Sequence, residues 1–297
     1  MKAANAHTLS GIGFAIVAVA CFATLDTTSK YISSSVPVLM VIWFRYAVQV
    51  VLTCAVVLPM RGRSVLRTAH PRFQMLRGAL LFVCSLLAFF SLKFLPVGEF
   101  TAMAMLSPLA VTLLAGWFLK EHVRPLRWLL VAGGFVGTLV IVRPGGHHFD
   151  WSVILPLGLV LTNSWFQVLT SKMAKTEDPV TMHFYTGWIG ILLSSLALPF
   201  VWEMPGSWPV WMTLLLIGVM GTVGHLFLIM AFARAPAATL APYMYVQIGF
   251  AVLGGWLVFS HIPDQWSQLG MLLITLCGAV GAWLSARESR IALQPSE

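Results

Sequence analysis

Two ionisable side chains, Asp26 and Arg45, stand inside strongly apolar stretches of this chain. Such a group costs ~2.5–3.5 kcal/mol on membrane-insertion scales and usually faces a cavity or a partner. The planar guanidinium of arginine suits two-point binding of a carboxylate or phosphate. Arg45 is therefore read as a clamp for the anionic group of a solute, and Asp26 as its counter-ion or as a proton-coupling group. The alternative is structural: an Asp26–Arg45 ion pair fixing two helices, or an Asp26–Lys30 pair at i, i+4 with Lys30 reaching the interface. Counted from the outer interface, Asp26 lies roughly 8 Å deep and Arg45 roughly 13 Å deep, so the two can meet.

A second polar group lies in the C-terminal half. Asn163 and Gln167 share a helix face, as do Tyr243 and Gln247, and His183 and His225 come from two further helices. Together they read as the wall of a polar, substrate-binding cavity, although Asn and Gln also bond neighbouring helices without touching a solute. Trp165, Tyr185, Trp188 and Tyr245 read as core or interfacial rings. Glu99, at the mouth of a span, is a further candidate for proton coupling or for an ion pair. Lys30 and Lys172 read as helix-end anchors.

Other chemistries lack their residues. The four cysteines, Cys21, Cys54, Cys84 and Cys277, fall in apolar segments with no CxxC and no Cys/His spacing suited to metal, and His147-His148 has no third ligand nearby. No metal or cofactor is expected. Gly133, Gly134 and Gly137 lack the strand-and-loop context of a phosphate cradle and point to close helix packing. No GxxxxGK[ST], HExxH, GxSxG or paired carboxylates occur, which argues against ATP-driven transport and against an intramembrane enzyme.

The elements that hold these residues follow from composition. The chain is 59% hydrophobic and 9% charged, with a mean hydropathy of +0.87, outside the range of a soluble domain. The fold class is an all-α polytopic membrane protein. Hydropathy predicts ten transmembrane helices, near 11–31, 36–58, 74–93, 97–119, 126–143, 150–172, 179–201, 209–231, 236–258 and 266–286. The N-terminal segment shows no signal-peptide pattern.

The net charge of +8 is explained by topology rather than by nucleic acid. With a cytoplasmic N-terminus, the inner loops and tails collect Lys2, Arg61, Arg63, Arg67, Arg72, Arg77, Lys120, Arg124, Arg127, Lys172, Lys175, Arg234, Arg287 and Arg290. Lys30, Lys93 and Arg143 fall outside. This asymmetry predicts both termini in the cytoplasm and Arg61 to Arg77 facing anionic lipid.

The chain also repeats itself. TSKYISSSVPVLM (28–40) returns as TSKMAKTEDPVTM (170–182), and FLPVGEF (94–100) aligns with RAPAATL (234–240) at an offset of 140. A unit of five helices is odd, so its second copy enters the membrane from the opposite side. Two inverted five-helix repeats, residues 1–147 and 148–297, are expected. Gln247 aligns with Ser107 by the same offset, beside Pro108, which can loosen a helix.

The ten-helix layout, the turn in SLKFLPVGEFTAMAMLSPLAVTLLAGWFLKEHV (91–123), the glycine-rich GGFVGTLVIVRPG (133–145) and WFRYAV (43–48) resemble the EamA family of the drug/metabolite transporter superfamily. The resemblance implies a carrier of small metabolites, in many members an exporter, with its substrate held between two halves near mid-membrane. One departure is that Lys120-Glu121 ends the fourth helix while Ser260-His261 ends the ninth, so the symmetry of these ends is degraded.

These features converge on secondary transport by alternating access, driven by protons or by exchange. The expected activity is export of an amino acid or related metabolite across a bacterial inner membrane, by a monomer or homodimer. Uptake of a scavenged cofactor, vitamin or nucleoside-like compound is the alternative.

Overall fold

In the computed structural model, residues 2–118, 125–143, 151–173, 176–232, 234–235, 240 and 243–292 are described. Lys120, Glu121, Arg124, His147, His148 and Lys175 lie outside them. The described elements are helical: α1 Lys2–Ile32, α2 Val38–Arg61, α3 Pro71–Phe94, α4 Val97–Ala104, α5 Ser107–Phe118, α6 Pro125–Val142, α7 Ile154–Met173, α8 Pro179–Val201, α9 Trp208–Phe232, α10 Val246–Phe259 and α11 Gln265–Ala292. Six, namely α1, α2, α3, α8, α9 and α11, are long and apolar enough to cross a membrane. Four shorter apolar helices, Val97–Val111, Trp128–Val142, Ile154–Thr170 and Val246–Phe259, accompany them. The protein is a polytopic membrane protein.

Helix limits follow local chemistry. Pro71 and Pro179 start α3 and α8 at positions where no amide hydrogen is needed. The Asp178 carboxylate caps α8 by accepting from the Val180 and Thr181 amides. α10 ends at Ser260, in the left-handed region (φ 53), with the His261 amide bonded to the Gly255 carbonyl.

The expected fourth span is not one helix. It breaks after Ala104, where Met105 turns (ψ 1) and the Leu106 amide reaches back to the Met103 carbonyl, before α5 begins at Ser107-Pro108. The ninth breaks at the aligned place: Tyr243 and Met244 are helical, Tyr245 is a turn, and α10 begins at Val246. Met105 and Tyr245 are separated by the repeat offset of 140.

Packing has a regular order. The most extensive contacts are α1 with α9 and α6 with α11. By the 140-residue offset, α1 with α9 matches α3 with α7, α2 with α9 matches α3 with α8, and α1 with α10 matches α5 with α7. The pairs α2–α8 and α6–α11 join a helix to its own counterpart, and all of these pairs cross between residues 1–147 and 148–297. Glycines make these crossings close: a Cβ on Gly270 would lie 2.5 Å from the Gly137 carbonyl, and one on Gly218 would collide with the Val48 side chain.

Two clasps tie the bundle at its ends. At one end, the Lys30 ammonium donates to the carbonyls of Leu92 (3.1 Å) and Leu95 (2.8 Å), closing the C-terminus of α3. Lys30 thus turns into the protein rather than outward. At the other end, Glu177 accepts from the Thr68 hydroxyl (2.7 Å) and the amides of Ala69 (2.8 Å) and His70 (3.0 Å), while Arg61 pairs with Asp178 at 2.9 Å.

Candidate functional site

Arg45 is carried by the first half of α2, the helix that meets α8 across the two halves, and is 3% exposed. Gly221 leaves room for it: a Cβ there would stand 3.2 Å from Nε. Its Nη1 donates to the Ser85 hydroxyl of α3 at 3.1 Å, and Nη2 lies 3.0 Å from Nε2 of His225 on α9. The guanidinium carbon also sits 4.6 Å from the ring centre of Tyr46, whose hydroxyl meets Ser85 at 2.9 Å. Ser85 and His225 are themselves 140 residues apart. Each half therefore contributes one aligned partner to a single guanidinium.

The expected Asp26–Arg45 pair does not form. Asp26 of α1, 6% exposed, instead accepts from the Gln247 amide of α10 at 3.3 Å, just beyond the helix break. The first-half counterpart is the Ser164 hydroxyl of α7, 3.3 Å from the Ser107 carbonyl just beyond the other break. Among the described residues, no carboxylate lies within ion-pair distance of Arg45. A buried ion without a counter-ion costs several kcal/mol even after relaxation, so the neutral shell leaves room for an anion to stabilise the site.

The histidines differ in setting. His225 is half-buried, edge-on to Phe22 at 4.9 Å. His183 of α8 is buried beside Gln49, whose amide donates to the His183 carbonyl at 3.3 Å and whose Oε1 is buried without a partner. Asn163 and Gln167 are half-buried on the α7 face that also carries Thr170, and neither makes a side-chain hydrogen bond among the described residues. The turn at Tyr245 interrupts the face expected to join Tyr243 to Gln247: Tyr243 is exposed while Gln247 is buried. Glu99 lies away from this cluster, in the first turn of α4. It is buried, with Oε1 3.2 Å from His261 and Oε2 unpartnered.

Arg77 corrects the charge reading. Expected with the inner basic loop, it lies within α3 and is 3% exposed. Its Nε donates to the Thr170 hydroxyl at 2.9 Å, Nη1 donates to the Met182 carbonyl at 2.8 Å and to the Thr186 hydroxyl, and its guanidinium covers the Phe166 ring at 5.0 Å. Sequence reasoning also missed Gln49, Tyr46 and Ser85. The signal available for Arg77 was its position inside a hydrophobic window; the three neutral residues gave none. No group of three or more metal-ligating side chains occurs among the described residues. The arrangement offers buried cations, amides and imidazoles to a solute, which is the chemistry of binding.

Known proteins agree at this level. Over 96% of its length the chain is 28% identical to a riboflavin transporter of Vibrio cholerae, also over 96% of that protein. It is 27% identical to an S-adenosylmethionine uptake transporter of Rickettsia conorii, covering 90% of each, and 28% identical to a pseudopaline exporter of Pseudomonas aeruginosa, covering 90% and 94%. A solved crystal structure with 23% identity aligns over 96% of this chain and 98% of its own with a TM-score of 0.65, a likeness of fold. The EamA-like transporter family model matches twice, at residues 9–143 and 150–284, one match in each half, and the chain belongs to that family.

Proposed function

We propose that this protein is a secondary carrier in a bacterial inner membrane. Two inverted five-helix halves, 1–147 and 148–297, form ten spans and rock around a site centred on Arg45, exposing it to one side at a time. The observation that carries this reading is the Arg45 guanidinium, hydrogen-bonded to Ser85 from one half and His225 from the other, with no carboxylate within ion-pair distance among the described residues. The paired packing of α1–α9 with α3–α7 supports the repeat. So do the helix breaks at Met105 and Tyr245, because interrupted helices at matching positions of two repeats mark substrate sites in transporters.

The cargo in this reading is a small metabolite with an anionic group, held by Arg45 and surrounded by His183, His225, Gln247, Asn163 and Gln167. Asp26 and Glu99 are the carboxylates available for proton coupling. Export of an amino acid or related metabolite is the first reading. Uptake is the second, favoured by the relatives named as uptake transporters.

Mass spectrometry of medium and cell extract, comparing cells that overproduce the protein with cells that lack it, tests transport and direction together. An acidic or zwitterionic metabolite enriched in the medium identifies an exporter, and enrichment inside identifies an importer. A difference confined to uncharged or purely cationic compounds would contradict the role given to Arg45.

A further inference from the structure

Arg77 has no place in a site with a single anion anchor, yet it repeats the features of Arg45. Both are 3% exposed, both are surrounded by neutral groups, and both lie against an aromatic ring. The described carboxylates near the bundle are committed elsewhere: Asp26 to Gln247, Glu99 to His261, and Glu177 to the loop before α3. The second terminal nitrogen of Arg77 has no protein partner among the described residues. Neither buried guanidinium has a carboxylate within ion-pair distance among the described residues.

Both meet α3, Arg77 as part of it and Arg45 through Ser85. Ser85, which holds Arg45, and Arg77 are eight residues apart on that helix, about 12 Å of rise. Between them, Gln49 is 1% exposed, its amide donates to the His183 carbonyl, and its Oε1 accepts from nothing. An unpaired acceptor at this depth matches an N–H donor on a ligand. A ligand that meets both guanidinium groups carries two anionic groups, one toward each arginine.

We propose that the site takes an amino dicarboxylate or a close analogue, one carboxylate on Arg45, the other on Arg77, and an N–H directed at Gln49. This rests on the Arg45 reading above and adds a second anchor to it. Arg77 is the residue that distinguishes dicarboxylates from monocarboxylates, and Asn163 and Gln167, on the Thr170 face of α7, line the approach to it.

The test is isothermal titration calorimetry on the full chain in detergent with four probes: L-glutamate, glutarate, L-glutamine and inorganic phosphate. L-Glutamate is expected to bind at least about tenfold tighter than L-glutamine, with glutarate between them and phosphate no tighter than L-glutamine. Arg77→Gln should bring the glutamate-to-glutamine ratio to about one, and Arg77→Lys, which keeps the charge, should restore part of it. Gln49→Leu should bring L-glutamate to the level of glutarate. Wild-type protein that binds L-glutamate no tighter than L-glutamine, or that binds neither, overturns the proposal, as does a ratio that survives Arg77→Gln in folded protein. If Arg45→Ala abolishes L-glutamine binding while Arg77→Gln leaves the ratio intact, the second anchor alone falls. If Arg45→Ala changes no affinity, the Arg45 reading falls with it.

Discussion

At the scale of single residues, the site is a set of buried polar groups whose partners come from different helices. Asp26 accepts from Gln247 across α1 and α10 rather than from Arg45, so it is not held in a structural ion pair. Asp26→Asn keeps the hydrogen bond and removes the titrating group. The variant should retain exchange of internal for external substrate in proteoliposomes and lose accumulation driven by a proton gradient. Accumulation at the wild-type level would remove Asp26 from coupling. Arg45 and Asp26 were legible in the sequence because a charge inside an apolar span is costly and therefore conspicuous. Arg77 was hidden by its neighbours: a run of arginines just before α3 carried it into the topology argument. Gln49, Tyr46 and Ser85 gave no signal, since a neutral polar residue in an apolar helix is common and only its contacts reveal its use.

At the scale of elements, the two interrupted helices set the geometry, and the glycine-lined crossing of α6 and α11 holds one of them. Tyr245, the turn between the legs of the interrupted helix, packs directly on Gly278 of α11. A methyl group there collides with the ring, so Gly278→Ala should destabilise the protein by about 1–3 kcal/mol, read as a lowered Tm in detergent. A similar change at Gly13, where a Cβ meets nothing within 4 Å, should leave Tm unchanged. The helix limits were readable from apolar length and from Pro71 and Pro179. The break at Met105 was signalled only by Pro108 in the following turn, and the charged clasps were not readable at all, because they join residues 62 to 117 positions apart. One clasp titrates. Burial alone would raise the Asp178 carboxyl, but the Thr181 amide, the Arg61 guanidinium and the Val180 amide together hold it below the ordinary carboxylate value. A carboxyl depressed in the folded state contributes stability above its unfolded pKa of about 3.9 and loses it as pH falls through the lower folded value. Asp178→Asn should therefore flatten the acid side of the Tm-against-pH curve.

At the scale of the whole molecule, the sequence carried the five-helix period through two echoes at nearly one offset. Their physical meaning depends on orientation, which helix packing alone does not define. In the inverted arrangement, the Lys30 end of α1 and the Lys172 end of α7 lie on opposite sides. Single cysteines placed beside Lys30 and beside Lys172 should react with an impermeant maleimide from outside and from inside, respectively, in intact cells and inverted vesicles. Labelling of both from one side would contradict the inverted repeat. The central claim is that one guanidinium, held by a partner from each half, carries the anionic group of the cargo across. Its most direct measurement is transport by Arg45→Lys and wild-type protein, reconstituted at equal density in proteoliposomes, of the metabolite identified by profiling. Lysine keeps the charge and removes the two-point fork, so the account predicts a fall in kcat/KM of about tenfold or more with the protein folded and correctly inserted. An Arg45→Lys carrier that transports at the wild-type rate would contradict it.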